Sequence, residues 1–480
     1  MKTISHIFFK LFILSVFLFP MDLSAGENQS EGNEPIHGTW LGELVIPHQA
    51  SLRMGIIITL NDDKTQKAVL NIIDQSTGDI PCDEVLVRND TVTVRLKKLG
   101  IEISGPMAAE SREINGRFRQ AGANFPIVFK PVDKLPEILR PQEPKGPFPY
   151  QSEEVVFENT KAGVRLAGTI TIPQKPGKFP AVIMVTGSGK QNRDEEFAKH
   201  KPFWVIADYL TRQGIIVLRV DDRGCGASTG SFEQSTTGDF AEDVLSGIAY
   251  LKGRKEVNPQ EIGIIGHSDG GIVASLAAAQ STDVAYIVTL AGLMESFEKA
   301  VLDQLMNQAA QQGKSAEDIE LERNWRKSIY SIAKEKTDVA TATTRLWEIY
   351  NALPEADVKR LNWPKGRHES QINQVLNPWW RFNLSLNNEE AIKNIQCPVL
   401  ALYGSLDQQV RPEQNVSFVE AAFKKGTNPH AEVKVLPGLN HMFQTATTGS
   451  EYEYFRIEET ISPEVLNLMA TWIGKQVSAN

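Results

Sequence analysis

Cysteine is scarce in this chain. There are three in 480 residues, Cys82, Cys225 and Cys397, far apart and odd in number. That excludes a disulfide framework, and each is expected to behave as a small buried hydrophobe. No C-x-x-C or H-E-x-x-H spacing points to a metal site, and no cofactor is expected. Basic blocks are lacking as well. The net charge is −9 at pH 7, and nothing gathers enough positive charge to neutralise phosphates, which argues against a nucleic-acid partner. Beyond the N-terminus no apolar run is long enough to span a bilayer. Histidine is rare too, with eight in all, so candidate bases can be counted.

The N-terminus carries Lys2 and Lys10, an apolar run from Ile7 to Phe19, a break at Pro20, and the small-residue stretch Leu23-Ser24-Ala25. This is the pattern of a secretory signal peptide over residues 1–25, because the run is too short for a spanning helix. No cysteine adjoins the cleavage point, so a lipid anchor is not indicated. The chain is therefore expected to be exported, periplasmic or secreted.

Three regions follow. Residues 34–133 read as short strands separated by turns such as Asn61-Asp62-Asp63 and Asn89-Asp90, which suggests a small all-β domain, an antiparallel barrel or sandwich. Residues 134–149, with Pro141, Pro144, Pro147 and Pro149, read as a stiff linker or strap. From 150 to 480 strands and helices alternate, which means an α/β fold with a mostly parallel sheet flanked by helices. The alternation lapses between Leu290 and Val399. There Glu295–Gln312, Ala316–Lys336 and Thr341–Asn351 read as helices, an inserted helical cap over about 294–394.

Two stretches fit G-x-S-x-G, the pattern that holds a serine out on a sharp strand-to-helix turn. Gly266-His267-Ser268-Asp269-Gly270 has the required context: a buried β-branched run, Ile262–Ile265, before it and a small-residue helix after it. Gly226-Ala227-Ser228-Thr229-Gly230 does not; it is separated from its strand by Asp221–Cys225 and followed by a polar loop. Ser268 is the expected nucleophile. A serine needs a base, and the base an orienting acid. Asp407 lies just past the run Val399–Tyr403, and His441 just past Glu432–Leu436. No other histidine occupies a strand-end loop downstream of an acid, and the order Ser, Asp, His is that of α/β-hydrolases. An oxyanion requires fixed N–H donors. The backbone N–H of Asp269 is one; the second is expected from Thr186-Gly187-Ser188-Gly189, with Ser188 preferred and Gly189 the alternative.

Val185–Glu195, Leu218–Ser228, Gly266–Gly271 and Asn377-Pro378-Trp379-Trp380-Arg381-Phe382 resemble α/β-hydrolases, and within them the bacterial EstD-type esterases of the serine aminopeptidase-like hydrolases. The resemblance covers residues 150–480. It implies a carboxylesterase with Ser268, Asp407 and His441 as its triad, and a structural turn at Asp222-Arg223-Gly224. Thr186 departs from the histidine that many hydrolases carry before the oxyanion glycine.

The expected activity is hydrolysis of a small acyl ester through an acyl-serine, with Trp379, Trp380 and Phe382 as candidates for lining the acyl pocket. An exopeptidase acting through the same triad is an alternative, since the chemistry also cleaves amides. A binding protein with a vestigial hydrolase domain is a third reading. The sequence leaves oligomeric state and physiological substrate open.

Overall fold

The computed structural model describes residues 35–46, 51–63, 65–75, 78–292, 295–426, 428 and 430–478. The expected signal peptide, residues 1–25, lies outside the described residues. The chain forms two compact units. One runs to Arg140 and takes in Glu451–Glu458; the other comprises Pro141–Ser450 and the chain from Glu459 onwards.

The first unit is a nine-stranded, wholly antiparallel sheet built between Gly38 and Val132. Its first and last long strands, Gly38–Leu44 and Ala123–Val132, pair with each other. The two edge strands, Ile80–Pro81 and Glu84–Arg88, are consecutive in sequence. Between them Cys82 N–H donates to Ala68 O (2.9 Å) and Asp83 N–H to Arg95 O (2.8 Å), so the sheet closes on itself as a barrel and leaves no long free edge. Strict alternation fills the inside. In Thr91–Leu96 the residues Val92, Val94 and Leu96 are buried, while Ile114 and Phe118 point inward from a strand whose arginines point out. Trp40 is fully buried. Its indole N–H donates to Arg112 O (2.8 Å), and the Arg112 guanidinium lies over the ring at 5.3 Å. The buried Asp74 carboxylate accepts from Arg53 and from Arg456 of the returning segment.

The second unit has an eight-stranded sheet. Its strands are β1 (Tyr150–Asn159), β2 (Val164–Pro173), β3 (Phe179–Val185), β4 (Ile216–Val220), β5 (Val257–His267), β6 (Tyr286–Leu290), β7 (Val399–Gly404) and β8 (Ala431–Leu436), in the order β1-β2-β4-β3-β5-β6-β7-β8. β2 runs antiparallel to both neighbours and the rest pair in parallel. The central strands are apolar on both faces, as a sheet covered on both sides requires. Helices α1 (Pro202–Arg212) and α12 (Pro463–Ser478) cover one face, where Phe203, Leu210, Met469 and Trp472 join Val182, Val217, Val288 and Leu400 in one core. α2 (Thr237–Lys252) and α3 (Asp269–Gln280) pack together on the other. α2 starts with a full capping box, Thr236 and Asp239 bonding each other's backbone N–H.

The crossover from β6 to β7 holds seven helices: α4 (Phe297–Gln311), α5 (Ala316–Ala333), α6 (Val339–Asn351), α7 (Glu355–Arg360), α8 (Lys365–Val375), α9 (Pro378–Ser385) and α10 (Asn388–Lys393). Ser296, Ser315, Asp338, Asn377 and Asn387 cap five of them by accepting backbone N–H groups. The four short helices α7–α10 have no long apolar period, and the sequence reading did not single them out. α11 (Pro412–Gly426) joins β7 to β8. Among the described residues no helix is long and apolar enough to cross a membrane.

Candidate active site

Ser268 stands between β5 and α3 with φ 52° and ψ −120°, a conformation that costs a non-glycine residue energy and projects its side chain off the sheet. Its neighbours are glycine for want of room. A Cβ on Gly266 would lie 2.2 Å from Gly270 O, one on Gly270 2.3 Å from Val185 O, and one on Gly271 2.6 Å from Gly292 Cα. The turn is pinned by Ser268 N–H donating to Leu290 O at 2.8 Å.

The loops after β7 and β8 bring Asp407 and His441 to this turn. His441 Nε2 is 3.1 Å from Ser268 Oγ, and His441 Nδ1 is 2.8 Å from Asp407 Oδ2. The other carboxylate oxygen accepts the N–H groups of Gln409 and Val410, each at 2.8 Å. Asp407 and His441 are both buried. The His441 loop has its own frame. Asn440, fully buried, accepts N–H bonds from Met442 and Gln444 and donates to the Gln444 side chain, which meets His200 at 3.0 Å. Gly404 lets this loop approach, since a Cβ there would stand 2.3 Å from Leu439 O.

The loop after β3 passes close to Ser268: a Cβ on Gly187 would be 3.2 Å from Ser268 Cβ. Gly187 N–H is engaged, donating to Glu195 Oε1 at 2.7 Å. Neither the Ser188 nor the Asp269 backbone N–H has a hydrogen-bond partner among the described residues. Gly189 sits at φ 89° with open space around it. Asp222 braces the loop. One oxygen accepts the Thr186 hydroxyl (2.8 Å) and the other Gln191 N–H (2.7 Å). Burial pushes the Asp222 carboxyl up to about 8, against the pull of those two hydrogen bonds.

Two residues that the sequence reading assigned no role complete the site. Glu195 Oε1 also meets His267 Nδ1 at 2.9 Å, and His267 Nε2 lies 3.1 Å from the carbonyl oxygen of His441. The acid in Asn192-Arg193-Asp194-Glu195 and the histidine preceding the nucleophile were visible, but nothing local joins them.

A cavity of about 50 Å³ opens beside Gly187 and Asp269 and is lined further by Met184, Thr186, Asp222, Phe232 and Phe240 among others. Burial pushes the Asp269 carboxyl up to about 7, a shift that the bond from Trp379 Nε1 (3.2 Å) to its Oδ2 opposes. Trp379, Trp380 and Phe382 are not among the lining residues. Trp379 and Trp380 are buried edge-on against Phe297, and the Phe382 ring lies over Gly238.

Ser228 is placed apart from any base. Its hydroxyl donates to Asp221 O (2.8 Å) and accepts Ala167 N–H (2.9 Å), which ties the turn after β4 to β2. In the same turn Arg223 is buried against Asp243.

Residues 162–441, more than half of the chain, match the family described as X-Pro dipeptidyl-peptidase (S15 family). The chain is similar to Esterase EstD of Thermotoga maritima, with 30% identity over 185 residues, 38% of this chain and 41% of that protein. It is similar to the Uncharacterized protein YfhR of Escherichia coli K12, with 31% identity over 126 residues, 26% of this chain and 41% of that protein. The matched stretch therefore spans less than half the length of either relative. Among solved structures it is similar to the alpha/beta hydrolase GrgF from Penicillium sp. sh18, at 20% identity and a TM-score of 0.43, over 68% of this chain and 99% of that one. With a serine elbow, the α/β-hydrolase strand order and this match together, the chain belongs to the X-Pro dipeptidyl-peptidase (S15) family of α/β-hydrolases.

Proposed function

We propose that this protein is a serine carboxylesterase in which Ser268, His441 and Asp407 act as a catalytic triad. The observation that carries this reading is the unbroken chain from Ser268 Oγ to His441 (3.1 Å) to Asp407 (2.8 Å) at a strained turn. Ser268 Oγ attacks the ester carbonyl carbon while His441 Nε2 takes its proton. The tetrahedral oxyanion is met by the uncommitted N–H groups of Asp269 and Ser188. Collapse breaks the bond to the alkoxide, His441 returns the proton to it, and the alcohol leaves. Water then attacks the acyl-serine with His441 again as base, and the acid departs. Helices α4–α10 serve as the cap, with the Trp379 indole reaching the residue after the nucleophile.

A second reading, an exopeptidase on the same triad, is favoured by one feature. Asp222 and Asp269 both line the cavity, and neither has a lysine or arginine partner among the described residues. A substrate ammonium group beside either carboxyl would favour its ionised form and pair with it.

Labelling with a fluorophosphonate, followed by parallel assays on p-nitrophenyl esters and aminoacyl p-nitroanilides, tests both. Labelling that disappears in Ser268→Ala, with ester turnover dominant, is the expected outcome. Dominant anilide turnover favours the exopeptidase. Absence of labelling in the native protein overturns both and favours a vestigial site in a binding protein.

A further inference from the structure

Glu195 is a buried carboxyl group, 3% exposed, on the loop after β3. Among the described residues His267 is its one ion-pair partner. A single oxygen, Oε1, takes both Gly187 N–H and His267 Nδ1. The opposite ring nitrogen faces the His441 carbonyl oxygen at 3.1 Å. A carbonyl oxygen only accepts, so His267 Nε2 must carry a proton. A second proton must lie between Nδ1 and Oε1, since two lone pairs 2.9 Å apart would repel. A neutral imidazole beside an ionised carboxylate holds one proton too few for this pattern.

We propose that Glu195 and His267 are a positioning ion pair, a carboxylate held by an imidazolium with a proton on each ring nitrogen, that clamps the oxyanion loop and the His441 loop on either side of Ser268. The proposal rests on the triad reading above. One end of the clamp commits Gly187 N–H, so that the next amide, Ser188 N–H, is left for the oxyanion. The other end fixes the backbone of the catalytic base itself. Neither residue touches the reacting atoms; both act through the groups they hold. The titratable groups around the pair are His441, whose ring centroid is 4.9 Å from that of His267, Asp407 beyond it, and Asp222 on the Glu195 side. Burial pulls the His267 imidazole down, but the charge of Glu195 and the hydrogen bonds at both nitrogens outweigh it and hold the ring above the usual histidine range. Loss of the shared proton at alkaline pH turns one hydrogen bond into a repulsion and releases one of the two loops.

The test has two arms. In histidine-15N-labelled native protein, one of the eight histidines is expected to show both nitrogens protonated at pH 8, and that signal should vanish in His267→Gln. In Glu195→Gln the amide oxygen still accepts, but the charge is gone. The kcat for a p-nitrophenyl ester is expected to fall about 10–100-fold with KM nearly unchanged. The alkaline limb of the pH profile should also move to lower pH by at least one unit. If no histidine of the native protein keeps two protons at pH 8, the pair is not as proposed, whatever the variants do. A folded Glu195→Gln with unchanged kcat and alkaline limb overturns the positioning role. The spectroscopic arm needs no turnover, so a doubly protonated histidine in a protein that hydrolyses nothing would sink the esterase reading and leave the clamp standing.

Discussion

The Asp407 carboxylate is held by its own loop as well as by His441: one oxygen takes two backbone N–H groups of that loop, and the other faces the imidazole at 2.8 Å. Asp407→Asn keeps the shape but offers the wrong group to Nδ1, which turns the ring toward the unproductive tautomer. The kcat for p-nitrophenyl acetate is expected to fall about 10⁴-fold with the fold intact. A loss smaller than tenfold would remove Asp407 from the mechanism.

The glycines of the elbow are there for space. Gly270→Ala would force a methyl to within 2.3 Å of Val185 O, backbone that cannot swing away. Urea unfolding should show a loss of about 2–3 kcal/mol, or no soluble protein at all. Gly366→Ala, in α8 with nothing within 4 Å, is the control and should gain about 0.5 kcal/mol.

Asp222 sets a pH dependence. Its carboxyl is raised in the folded protein to about 8, from an ordinary value near 3.8. Between those values the folded state holds a proton that the unfolded state has released, so stability falls as pH rises through this window. Asp222→Asn removes the ionisation, and the Thr186 hydroxyl can reverse to accept from the new amide. Urea midpoints at pH 5 and pH 8 should converge in the variant relative to the native protein. An unchanged difference between them would mean that other groups control the slope.

Ser228→Ala distinguishes the second G-x-S-x-G from the first. It strips a buried carbonyl, Asp221 O, and a buried amide, Ala167 N–H, of their partner. The expected cost is about 1–3 kcal/mol in unfolding free energy with esterase kcat unchanged. Lost activity without lost stability would contradict the structural role.

How far the sequence carried depended on distance along the chain. The Ser268 turn was legible because strand, turn and helix are contiguous and each leaves a local mark: β-branched residues, glycines, then small residues. Asp407 and His441 could be placed because each lies in the loop that follows a strand, Asp407 after the buried β7 and His441 after the edge strand β8. The contacts between these pieces left no mark. His267 and Glu195 are 72 residues apart, and the Trp379 indole finds Asp269 across 110; no periodicity encodes either. Trp379, Trp380 and Phe382 could be named as pocket candidates but not aimed, because the direction of a ring on a short helix depends on its packing partners, here Phe297 and Gly238. The barrel strand Ile114–Gln120 leaves a weak mark in the sequence for a related reason. Only Ile114 and Phe118 among its inward positions are large and apolar, and Gly116 and Gln120 dilute the alternation.

The return of Glu451–Glu458 to the N-terminal unit separates the order of synthesis from the order of folding. Asp74 gains its second guanidinium from Arg456, a residue made 382 positions later. Until Arg456 is made, Arg53 is the one guanidinium of the two that Asp74 can hold. The barrel reaches its final polar network only after the whole run from Ser268 to His441 has been translated. For the same reason a fragment ending at Arg140 is not the barrel that the full chain builds, because one of its pieces lies near the opposite end of the sequence.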